Sequence, residues 1–96
     1  MGIKDILHDK RRQILEIAAR HGAHQVRVIG SVARGDARPD SDVDFLVQLD
    51  PDRSLLDHAA LMVELERVLG RKVDVATEKG MRPAVRERVM RDAIPL

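Results

Sequence analysis

Two aspartates one residue apart, Asp42-Val43-Asp44, open the apolar run Phe45-Leu46-Val47. Side chains alternate between faces along a strand, so both carboxylates point the same way, with Cα atoms about 6.5–7 Å apart. Ionised acids at that spacing repel, and aspartate is disfavoured in strands, so the pair asks for a reason. A divalent cation held between them would supply one. Magnesium suits such a place because it takes oxygen ligands and keeps positions open for water and substrate phosphates. A third acid, Asp74, sits between Val73 and Val75 in another short apolar run and faces away from both. If that run neighbours the first, Asp74 completes a three-carboxylate cluster. Two Mg2+ ions about 3.5–4 Å apart would then clamp the attacking and leaving oxygens of an in-line displacement at phosphorus.

Upstream, Gly30-Ser31 follows directly on Val26-Arg27-Val28-Ile29. A glycine there lets backbone approach a ligand closely, and amides at the start of the next helical turn favour an anion. Ser31 could donate its hydroxyl to a phosphate or simply cap Val32-Ala33-Arg34. Arg34 could neutralise part of a triphosphate or serve as a surface ion-pair partner. Asp36 reads as a loop-stabilising acid.

The elements that must position these residues follow from periodicity. Ile3, Leu7, Ile14, Ile17 and Ala18 recur at helical spacing, with Gly22 as a stop. Val26–Ile29 is the first expected strand, residues 35–41 a loop rich in turn formers, and Asp42–Val47 the second strand. Ser54 with Asp57 three residues on resembles a capping box, ahead of a helix traced by Leu55, Ala59, Met62, Val63, Glu66 and Leu69 and ended by Gly70. Val73–Ala76 is the third strand. Pro83 suits the first turn of a last helix with Val85, Val89, Met90 and Ala93 on its apolar side. The expected fold is α+β, ordered α-β-α-β-α-β-α in one domain over residues 1–96. It carries a small three-stranded mixed sheet with helices mainly on one face.

Composition narrows the function classes. With 96 residues and no cysteine, neither disulfides nor thiolate metal sites are available, which suits a reducing cytoplasm. No stretch approaches the ~20 apolar residues of a membrane span. The net charge of +1 hides a strong segregation. Residues 36–66 carry nine acidic and two basic groups, whereas the segments on either side are each net basic. An acidic centre between basic flanks is what a metal site facing phosphate requires. Phe45 is the single aromatic residue, so stacking platforms for single-stranded nucleic acid are missing and nucleic acid is not the expected partner. His8, His21, His24 and His58 lack ligand spacing and read as surface or cap residues. Arg82, Arg86, Arg88 and Arg91 read as a solvated or partner-facing side of the last helix.

The pattern Gly30-Ser31, ten residues, then Asp42-Val43-Asp44 resembles the signature of the DNA polymerase β-type nucleotidyltransferase superfamily. Length and the fuller string, Gly30-Ser31-x-Ala33-Arg34-Gly35-Asp36 and Ser41-Asp42-x-Asp44, are similar to its minimal nucleotidyltransferase branch. Those are the MntA-like antitoxins encoded beside HEPN-domain ribonuclease toxins. The resemblance covers nearly the whole chain. It implies that Gly30 and Ser31 hold the triphosphate, that Asp42 and Asp44 bind metal, and that Asp74 is the third carboxylate. It further implies transfer of AMP from ATP to a tyrosine of the partner toxin. Two other readings stay open: an antitoxin that neutralises its partner by binding alone, and a transferase for a small acceptor.

Overall fold

The computed structural model describes residues 2–96. Its elements are α1 (Ile3–Asp9), α2 (Arg11–Arg20), β1 (Ala23–Ile29), α3 (Gly30–Arg34), β2 (Val43–Leu49), α4 (Leu55–Leu69), β3 (Val73–Thr77), α5 (Pro83–Asp92) and β4 (Ile94–Pro95), with one 3₁₀ turn at Glu78–Gly80. The sheet order is β3-β2-β1-β4. β1 pairs antiparallel with both β2 and β4, while β2 and β3 run parallel, joined by the α4 crossover. The fold is the mixed α+β arrangement expected from periodicity, with a fourth strand added. That strand, Ile94–Pro95, is too short to show alternation. It forms because the chain leaving α5 falls alongside β1, where Ile94 pairs with Val28 and the Leu96 amide donates to the Val26 carbonyl.

Val43, Phe45 and Val47 of β2 point to one face, together with Val28, Val73 and Val75, and meet Leu7, Ile14, Ile17, Leu61 and Leu65. Phe45, Ile14, Leu61 and Val43 are fully buried there. Burial of each such side chain contributes about 1.5–3 kcal/mol. The apolar stripe of α4 differs from the sequence reading. Leu61, Leu65 and Leu69 face the sheet, whereas Leu55 is 84% exposed and Val63 46%. Helix α4 carries apolar residues on more than one side, so periodicity alone admits either face, and packing against β3 and α2 selects one. The capping box is present: Ser54 Oγ accepts from the Leu56 amide at 3.2 Å and Asp57 accepts from the Ser54 amide at 3.1 Å.

The amino-terminal helical pattern is divided into α1 and α2, which break at Lys10 (φ −101°, ψ 10°). The break lets Leu7 and Ile14 reach the same core from two directions. β1 starts at Ala23, three residues earlier than expected, through a register shift between His24 and Arg27 where Gln25 has φ +52°. Helix α5 lies on the opposite face of the sheet, against β1 and α3. Leu46 and Ile29 are buried on that second face and stay outside the main core cluster. Among the described residues no helix is long and apolar enough to cross a membrane.

Candidate active site

β2 and β3 are neighbours, and their parallel register sets Asp44 directly opposite Asp74. Directly paired residues of adjacent strands share a face, so both carboxylates leave the sheet on the side away from the main core. Asp42 lies one residue ahead of β2, and the loop that delivers it is tied down twice. Arg38 N donates to Ser41 Oγ at 2.7 Å, and Arg71 Nη1 donates to the Pro39 carbonyl at 3.1 Å. Asp42 and Asp74 are exposed, while Asp44 is half-buried between them and the glycine turn.

The Asp44 carboxyl titrates above the ordinary aspartate value. Burial is the largest cause, followed by the charges of Asp74 and Asp42, with Arg34 pulling weakly the other way. Both neighbouring acids therefore act on Asp44, and the Arg34 guanidinium does not offset them. All candidate donors are carboxylate oxygens, the ligand type Mg2+ takes. Among the described residues no three His, Cys, Asp or Glu side chains close on one point as a ready metal cage. The donor set fits magnesium as an open half-site, in which one or two carboxylates hold the ion and water and phosphate oxygens fill the rest.

Gly30 closes the site from the side of β1. Its φ is +71°, and a Cβ built there would lie 2.5 Å from Asp44 Oδ2. Any side chain would be strained by the backbone, which is why glycine stands here, and it would also push the Asp44 carboxylate aside. Asp44 in turn pairs with Ile29, the residue before the turn. Ser31 departs from its expected capping role. The N-cap of α3 is Ile29 and no side chain caps the helix, because the helical turn already begins at Gly30. The Ser31 hydroxyl is thus not engaged in capping. Arg34 lies 3.4 Å from Asp36, an exposed ion pair, and is also close enough to Asp44 to lower its titration. The structure thus shows Arg34 as an exposed ion-pair partner that also lies near the Asp44 carboxylate.

Several residues escaped sequence reasoning. Glu78, on the same face as Asp44 but further along the sheet, accepts from Arg27 Nη2 at 2.6 Å, Gln48 Nε2 at 2.6 Å and Arg86 Nη2 at 2.7 Å. These donors hold its carboxyl down at about 2. No local pattern announces the cluster, since its members come from β1, β2, the 3₁₀ turn and α5. The histidines are also better used than expected. His58 Nε2 lies 2.6 Å from the Val75 carbonyl and must carry the proton there, which satisfies an acceptor of edge strand β3. His21 meets Glu64 at 3.2 Å and His24 meets Asp50 at 2.8 Å.

The chain resembles known proteins over nearly its whole length. The nucleotidyltransferase domain family model matches residues 11–96. The protein adenylyltransferase MntA of Thermococcus cleftensis is 34% identical over 92 residues, covering 96% of this chain and 90% of the relative. A candidate protein adenylyltransferase of Methanocaldococcus jannaschii is 36% identical over 88 residues, covering 92% and 95%. A solved structure described as a candidate minimal nucleotidyltransferase superposes with a TM-score of 0.87 at 53% identity, covering 96% of this chain and 94% of that one. A chain from a toxin–antitoxin crystal structure with AMP-PNP shares the fold, with a TM-score of 0.75 at 16% identity over 88% of this chain and 69% of that one. From the matched domain, the near-full-length relatives and the fold, the chain is a nucleotidyltransferase enzyme and belongs to the nucleotidyltransferase domain family, among its minimal members.

Proposed function

We propose that this protein transfers AMP from ATP to a hydroxyl of a partner protein, a tyrosine of a HEPN-domain toxin, and thereby acts as its antitoxin. The observation that carries the reading is the facing of Asp44 and Asp74 across parallel strands, beside a glycine that leaves room only for backbone. Relatives covering most of this chain are named as protein adenylyltransferases, which supports a protein acceptor. The chain contains no tyrosine, so a tyrosine acceptor has to be supplied by another polypeptide. Absence of cysteine suits a cytoplasmic setting for such a pair.

In this reading Asp42, Asp44 and Asp74 would hold two Mg2+ ions, with the nucleotide phosphates supplying further oxygens. When bound, magnesium neutralises charge on the triphosphate and on the pentacoordinate transition state. Gly30 and Ser31 present backbone amides and a hydroxyl to the triphosphate, and Arg34 offers its guanidinium to the same group. The acceptor oxygen forms a bond to the α-phosphorus, the bond to pyrophosphate breaks, and pyrophosphate leaves. Asp74, exposed on edge strand β3, would take the proton released by the acceptor hydroxyl.

The test is incubation of the purified protein with labelled ATP, Mg2+ and the toxin encoded beside it. Label is expected on the toxin with wild type and not with Asp44→Ala; equal labelling by both would remove the catalytic claim. Retained neutralisation by Asp42→Asn in cells would favour a partner that is silenced by binding alone.

A further inference from the structure

Glu78 and Arg27 each make three side-chain hydrogen bonds, and they share one of them. The Glu78 carboxylate is 10% exposed and receives three donors from three separate elements: Arg27 of β1, Gln48 of β2 and Arg86 of α5. Arg27, itself 12% exposed, adds a second link to the same helix, since its Nη1 donates to Met90 Sδ at 3.2 Å. Helix α5 is therefore held to the sheet at two points one turn apart, through Arg86 and through Met90. Both links run through the Arg27–Glu78 pair.

Such a clasp is more than α5 needs for burial, because the helix has no fully buried residue of its own. Its apolar contribution is limited to the partly covered Val89 and Met90, with Val85 41% exposed. A helix with so little apolar anchorage depends on its polar contacts for its position. Its direction makes that position matter. β4 begins two residues after α5 ends, and its Ile94 pairs with Val28, two residues before Gly30. The carboxyl end of α5 thus arrives beside the glycine turn, and α5 packs against α3. Helix α3 is only five residues long, too short to hold its own geometry without support.

The geometry points to Glu78 as a positioning residue for the nucleotide: by clasping Arg27, Gln48 and Arg86 it fixes α5 across the sheet, and α5 props α3 so that Gly30, Ser31 and Arg34 stay aligned for the triphosphate. This inference rests on the proposed nucleotide role of α3. It separates two functions on one face. Asp44 and Asp74 sit on β2 and β3, whose register is kept by the backbone ladder, and Asp42 is carried by a loop held through Ser41 and Arg71; none of these needs Glu78. Loosening the clasp should therefore weaken nucleotide binding and leave the chemistry of bound nucleotide nearly intact.

The experiment measures binding of a non-hydrolysable ATP analogue with Mg2+ by titration calorimetry, alongside KM for ATP and kcat for labelling of the partner toxin. Glu78→Ala is expected to weaken analogue binding and raise KM roughly five- to tenfold, with kcat within about twofold. Arg86→Ala, which leaves the Arg27–Glu78–Gln48 contacts in place, should give a smaller change of the same kind. Glu78→Gln, which keeps an acceptor oxygen, should recover most of the affinity. Ile14→Val in the opposite core layer serves as a stability control and should leave both constants unchanged. Unaltered affinity in both Glu78→Ala and Arg86→Ala, a fall in kcat at unchanged affinity, or an equal loss in Ile14→Val would each overturn the inference. If wild type itself binds no Mg2+-nucleotide, the failure lies with the proposed function instead.

Discussion

Two carboxylates on one face of the sheet have been given opposite surroundings. Glu78 lies beneath three donors that hold its charge, and its titration falls to about 2. Asp44 is half-buried among two further acids, and its titration rises. The distance between these regions is short, since Gln48, which serves Glu78, is four residues beyond Asp44 on the same strand. Folding alone accounts for the first: a satisfied carboxylate joins elements together. It does not account for the second, because uncompensated acids lower stability and a neutral residue would fold better. Titratable groups pushed in opposite directions within one site commonly mark division of labour. Here the lower cluster, around Glu78, joins elements together, and the upper one, around Asp44, is left short of positive charge, as the proposed function requires.

The sharpest way to break that comparison is Asp44→Ala. If Asp44 holds metal as proposed, its loss should reduce transfer on the order of a thousandfold or more, measured by label incorporation, while the far-UV spectrum stays unchanged. Gly30→Ala should come next. The added methyl meets the Asp44 carboxylate and the backbone is at φ +71°, so a stability loss of about 1–2 kcal/mol in urea is expected together with impaired transfer.

Acid titration of stability probes the lower cluster. Glu78 titrates lower in the folded than in the unfolded chain, so its contribution is complete above the ordinary value of 4.5. It is lost as pH falls from there toward 2, and wild type should take up about one extra proton on unfolding across that window. Glu78→Gln should flatten this limb of a urea-midpoint against pH curve; an unchanged slope would show that the donors do not hold the charge. The smallest effect belongs to Asp44→Asn without metal. A raised carboxyl favours the folded state below its unfolded value of 3.8, and that advantage disappears as pH rises through the folded value. The neutral amide should therefore raise stability at pH 7 slightly, by about 0.5 kcal/mol or less, detectable by thermal melting. A drop in melting temperature would mean that Asp44 is compensated after all.

Much of the upper cluster was legible in the residues themselves. Asp42, Asp44, Gly30 and Ser31 are near one another in sequence, and strand alternation with a glycine turn places them by local rules. Asp74 needed one further fact, that β3 lies beside β2, and a parallel crossover through α4 supplies it. The lower cluster was invisible for the converse reason. Arg27, Gln48, Glu78 and Arg86 span most of the chain, and each alone looks like an ordinary surface residue.

What the sequence determined by itself was the kind and order of elements and the acids they carry, because periodicity, capping and turn chemistry act within a few residues. Ser54 with Asp57 and the glycine stops at Gly22 and Gly70 are of that sort. What only the tertiary structure decided was which of several apolar sides each element buries and which charges meet. The exposure of Leu55 beside the burial of Leu61, the β4 strand made by the returning chain, and the clasp around Glu78 all depend on contacts between distant segments. Packing is a competition among whole surfaces, and a local pattern that offers two acceptable faces holds no information about which will win.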